Sequence, residues 1–229
     1  YVSPRMYTKR VLLLALAYAL TGKLGLIMAI SPGYATAIWP PAGIALAGLL
    51  LLGGRYWPGV FLGSLAVNLA TSLDIESFET ALKTGGISFA IATGASLQAL
   101  AGMYLCKKYI AELEALQRYQ DIGLLFVLGG IISCLISATV GVNTLWYTQT
   151  VARELVIPSW LTWWIGDAIG VLVFTPVLLL LFGASTTISR QRKYIVSSVL
   201  GATFALVVAI FIIANNWEEA QQKAIFNKA

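Results

Sequence analysis

The chain has 229 residues, 59% of them hydrophobic and 11% charged, with a mean hydropathy of +0.82 and a formal charge of +5 at pH 7. A solvated globular surface needs more polar side chains than that, so lipid is the expected solvent for most of the chain. No histidine occurs, which removes His-based metal sites, Ser-His-Asp catalysis and phosphohistidine chemistry from this segment.

A bilayer core of about 30 Å takes roughly 20 apolar residues per helix at about 1.5 Å rise each. In chain order, seven runs fit: residues 11–30, 37–52, 56–73, 85–106, 122–143, 160–182 and 195–214. They do not alternate as barrel strands would. The expected fold is therefore all-α, a polytopic transmembrane helix bundle of seven spans, with an eighth possible. The fifth run stays apolar to Trp146, so it is expected to tilt or to turn in at Gly141. Basic residues orient the bundle. With the N-terminus inside, Arg5, Lys9, Arg10, Arg55, Lys107, Lys108, Arg118, Arg190, Arg192 and Lys193 share one side against Lys83, Arg153, Lys223 and Lys228 on the other. Ten against four points to a cytoplasmic N-terminus, with 107–118 and 184–193 inside and 74–84 and 144–158 outside. The net positive charge then reflects topology and anionic lipid, and no folded basic surface for nucleic acid is visible.

Between the second and third spans "GGRYWPG" reads as a tight hairpin at Arg55. Tyr56 and Trp57 suit the interface, and Pro58 suits a first helical turn. At the other end of the second span, Trp39, Pro40 and Pro41 fix the helix entry with extended backbone before it. Trp39 serves there equally well as an aromatic belt residue or as a wall facing a ligand. Pro176, inside the sixth span, predicts a kink. Cys106 and Cys134 stand alone, without metal-ligand or redox spacing. "KKYIAELEALQRYQD" can form an interfacial amphipathic helix with Tyr109, Leu113 and Leu116 on its apolar face.

Ionisable residues within spans are the most informative, because lipid makes each of them costly unless paired or wetted. Lys23 lies about 18 Å up the first span, and Asp167 about 11 Å down the sixth from the opposite side. Both fall on one level in the outer half, with Asn68 beside them. Two readings remain: a buried Lys23–Asp167 pair that fixes helix register, or a water-accessible pocket for a small polar molecule or ion. Gly59 to Gly63 and Gly166 to Gly170 have the spacing of close helix contacts.

Three blocks, "LTGKLGL", "WPPAGIALAGLLLLGGRYWPGVFLGSLAVN" and "WWIGDAIGVLVFTPVLLL", resemble, in order and spacing, the first family of membrane-associated sensor domains, the MASE-type input modules of bacterial signalling proteins. The resemblance implies a non-enzymatic sensor in the bacterial inner membrane. It would be attached to a cytoplasmic histidine kinase or a cyclic-di-GMP synthase or hydrolase, through which it would homodimerise. Lys23, Trp39, Pro40, Gly43, Asn68, Trp164, Gly166, Asp167, Gly170 and Pro176 fall in the family's recurring blocks, without catalytic roles. Lys23, Trp39, Asn68, Trp164 and Asp167 are the sensing candidates; Pro40, Pro41, Gly43, Gly166, Gly170 and Pro176 are structural.

Membrane lipids and an unidentified small ligand are the expected partners, with no cofactor, metal or nucleic acid. That family is usually described with about eight spans. The tail "NNWEEAQQKAIFNKA" more weakly resembles the opening helix of CHASE-type extracytoplasmic modules, which would divide the chain into a sensor domain at 1–214 and a following module from 215. A transporter using a Lys23–Asp167 pair is the rival reading.

Overall fold

The structure, a computed structural model, describes residues 3–26, 36, 38–72, 75–110 and 119–183, and every regular element among them is helical. The chain divides into two compact units, Tyr1–Thr187 and Ile188–Ala229, and all described residues belong to the first. The expected seventh span, the tail from 215 and the segments 111–118 and 184–193 lie outside the described residues.

Helix α1 (Pro4–Leu26) turns Val11, Leu14, Tyr18, Gly22 and Gly25 inward, spaced three or four residues apart as one helical stripe requires. Leu12, Leu13, Leu16, Leu20 and Leu24 are exposed on the same helix. An exposed leucine face of that size would be a liability in water and is what a lipid-facing helix presents.

Helix α2 (Pro40–Leu52) is apolar all round and almost wholly buried, so it is the central helix. Ala45 and Leu49 face Val11 and Leu14 of α1, together with Val60. Ala42, Leu46 and Leu50 face Cys106, Cys134, Val171 and Leu179 on the opposite side. Gly53, at φ +107°, closes α2 into a 3-10 turn at Gly54–Tyr56, where only glycine is at ease.

This is the hairpin expected at Arg55, and Pro58 does sit in the first turn of α3 (Trp57–Ser72). Trp57 is 43% exposed, as an interfacial residue would be, but Tyr56 is fully buried. Its ring packs on Tyr7 at 5.2 Å and under the Arg55 guanidinium at 5.1 Å, while the Tyr7 hydroxyl donates to the Arg55 carbonyl (3.1 Å). Tyr56 therefore pins the turn to α1.

Helix α4 (Phe78–Tyr109) starts seven residues before the expected span. Ser77 and Thr80 form a reciprocal capping box that begins the helix inside what reads as a loop. The next rod is continuous: α5 (Tyr119–Leu124), a π-helical stretch at Leu125–Ile132 and α6 (Ser133–Tyr147). Its irregularity is thus not at Gly141, which is helical and packs against the Trp163 ring. A 3-10 turn at Arg153–Leu155 leads into α7 (Val156–Phe182), which contains Pro176.

Helix α2 packs along α7, α1 against α3, α3 against α4, and α4 against α6. By length and composition three described helices can cross a membrane, Phe78–Tyr109, Gln120–Tyr147 and Arg153–Phe182, while Pro40–Leu52 is apolar but shorter. The seven-span count is not reached among the described residues. Arg5, Lys9, Arg10 and Lys23 leave α1 a shortened apolar stretch, and α3 has 16 residues.

Candidate functional site

The entry of α2 is fastened to α7 by backbone. A helix N-terminus leaves four N–H groups without helical partners, and in lipid each must be satisfied or absent. Pro40 and Pro41 have none to satisfy, Ala42 N–H donates to the Trp39 carbonyl (3.2 Å), and Trp39 N–H donates across to the Gly166 carbonyl of α7 (3.0 Å). The approach requires glycine. A Cβ on Gly170 would collide with the Trp39 carbonyl oxygen, and one on Gly43 with the Gly170 carbonyl oxygen. One turn on, the Thr175 hydroxyl donates to the Gly43 carbonyl (3.1 Å). Pro40, Pro41, Gly43, Gly166 and Gly170 thus form one seam.

Asp167 follows Gly166 on the same seam and is 2% exposed. Its carboxyl takes hydrogen bonds from Ser137 of α6 and Gln98 of α4, yet its Oδ1 has no partner. The Gln98 amide also donates to Cys134 Sγ (3.4 Å). No ion pair reaches Asp167 among the described residues.

A cavity of about 50 Å³ lies against this carboxyl, walled by Tyr18, Trp39 and Trp163 and by Val67, Asn68 and Ile91. A second cavity of about 200 Å³ shares Asn68, Ser72 and Ile91 with it and extends along α4 to exposed Lys83. Asn68 Nδ2 donates to the Ser64 carbonyl (2.8 Å), and the Tyr18 hydroxyl is hydrogen-bonded with Ser64 and the Trp39 indole.

The sequence candidates therefore separate. Trp39, Asn68 and Asp167 meet at one cavity. Lys23 does not join them, and the expected Lys23–Asp167 pair is not formed. Lys23 lies in the last turn of α1, exposed on a groove beside Ala66 and Ala70 of α3. There its long stem can reach toward the interface. The transporter reading loses the observation it rested on.

Trp164 also stays outside the cavity. Its indole N–H donates to the Ile131 carbonyl in the π-helical stretch (2.9 Å), and its ring stacks on Trp160 at 5.8 Å. A π-helical stretch shifts carbonyls off the ordinary ladder, and Trp164 makes use of one. Both cysteines are buried and free.

Sequence reasoning missed Tyr18, Gln98, Ser137 and Trp163. Gln98 carried a legible signal, a lone amide in the apolar run "ASLQALAG". A single serine or aromatic residue in such a run carries none.

The family model MASE1 matches residues 10–224, nearly the whole chain. No curated protein and no solved structure matches it.

Proposed function

The chain belongs to the MASE1 family of membrane sensor domains of signalling proteins, and on that premise we propose that its helix bundle converts occupancy of the cavity at Asp167 into a displacement of α7. The observation that carries this reading is that cavity and seam share residues. Trp39 and Asp167 line the cavity, while the Trp39 backbone and the residues flanking Asp167 make the α2–α7 contact. Close-packed seams of this kind shift between discrete arrangements more readily than they deform. A ligand that moves the Trp39 ring acts directly on α7.

In this reading the N-terminus is cytoplasmic and the membrane is the bacterial inner membrane, supported by the distribution of basic residues. The cavity then opens outward, and α7 runs from the outer face toward the cytoplasm. The bundle is multi-pass, has no catalytic role of its own, and feeds a cytoplasmic output, a histidine kinase or a cyclic-di-GMP synthase or hydrolase, through which two copies associate.

Two measurements test the proposal. Reading the coding sequence beyond residue 229 should reveal such an output domain, and a stop codon soon after it would count against the proposal. Single cysteines at 188 and 76 should be labelled by an impermeant reagent in intact cells only at 76; labelling at 188 alone would reverse the orientation.

A further inference from the structure

We propose that the cavity at Asp167 binds a small organic ammonium ion, an inference that rests on the sensory reading for its biological role but not for its chemistry. The cavity offers acceptors. The hydroxyl hydrogens of Thr36, Thr71 and Ser72 are already committed to the carbonyls of Ile38 (2.9 Å), Val67 (2.8 Å) and Asn68 (2.8 Å). Asn68 Nδ2 is likewise committed to Ser64. What these groups retain for a ligand is oxygen lone pairs. Asp167 lines the same cavity, and its Oδ1 is buried without a hydrogen-bond partner. A buried carboxylate without a cation is costly, and a ligand bringing a positive charge and several N–H donors supplies both missing terms.

The walls select among cations. Tyr18, Trp39 and Trp163 contribute aromatic rings, which attract a cation through the ring quadrupole. Val67, Ile91 and Ala95 add apolar surface for a short alkyl group. A bare metal ion would want six or more oxygens, or a cluster of nitrogen, sulfur and carboxylate ligands. No group of three such metal-ligating side chains occurs among the described residues. Size sets the upper bound, since about 50 Å³ holds about three to four water-sized groups. Methylammonium and ethylammonium fit this bound; choline exceeds it. Lys83 lies eight residues before Ile91 on α4, about 12 Å along the helix, and is exposed at the far end of the adjoining cavity.

The test is equilibrium binding of radiolabelled methylammonium to the full-length protein in lipid nanodiscs. Saturable binding is expected, displaced by unlabelled ethylammonium but not by choline, methanol or an equal concentration of sodium. Asp167→Asn should weaken it at least tenfold. Because Asp167→Asn removes a buried unpaired charge, its fold should survive; Ala95→Leu, which fills the cavity and keeps the carboxyl, should abolish binding independently. Absence of saturable binding to the parent chain, equal displacement by sodium, or unchanged affinity in both variants would overturn the assignment. The assay does not read signalling, so a negative result leaves the sensory reading standing with another ligand. Binding that never alters output would sink the sensory reading and leave the site.

Discussion

Substituting Gly170 by alanine tests the seam at its tightest point. The added Cβ would meet the Trp39 carbonyl oxygen, a backbone atom that cannot rotate away, so α2 and α7 must separate. Overpacking of this kind costs about 1–3 kcal/mol. Separation also breaks the Trp39 N–H to Gly166 hydrogen bond, and leaving a buried donor unpaired in an apolar setting adds about 1–3 kcal/mol. Alanine recovers about 1 kcal/mol of helix propensity over glycine. The net expectation is a loss of about 1–5 kcal/mol, which for a domain of this size lowers Tm by roughly 2–20 °C.

Gly85→Ala is the control. It is also helical, and nothing lies within 4 Å of its Cβ position, so propensity alone should raise Tm by a few degrees. Thermal unfolding of the purified protein in one detergent measures both. A Gly170→Ala protein as stable as the parent, or equal losses at the two positions, would refute the backbone contact.

Lys23→Met should change stability by less than about 1 kcal/mol, since Lys23 is exposed and has no ion-pair partner among the described residues; a loss of 3–5 kcal/mol would mean a buried pair after all. Trp164→Phe keeps most of the ring and removes the donor to the Ile131 carbonyl. It should cost about 1–3 kcal/mol and speed amide exchange in 125–132, and unchanged exchange would contradict the link. Ser77→Ala removes one half of the capping box and should cost about 1 kcal/mol, with exchange accelerated at Phe78 to Ala81 and not beyond the first turns of α4.

The sequence was most legible where a residue type has one physical use. "WPPAG" and "GDAIG" announce a proline-started helix and a close contact, and the two meet each other. The Arg55 hairpin was legible for the same reason. Lys23 misled because depth along a helix is readable from counting while the face is not. Leucine occurs on both faces of α1, Leu14 inward and Leu12, Leu13, Leu16, Leu20 and Leu24 outward, so the composition of α1 does not reveal which side Lys23 takes.

The start of α4 hid in "DIESFETALK", whose charges suggest a loop although Ser77 and Thr80 spell a cap. The π-helical stretch "LFVLGGII" has no signature that separates it from ordinary apolar helix. The environment of Asp167 depends on Ser137 and Gln98 arriving from two other helices, a meeting that only packing specifies.

The central claim, that the Asp167 cavity governs an output, is tested most directly by the activity of the full-length protein in native membranes. Asp167→Asn and Ala95→Leu should each shift output several-fold from the parent at equal abundance, while Gly85→Ala leaves it unchanged. Identical output from all four proteins, with and without methylammonium, would contradict the account.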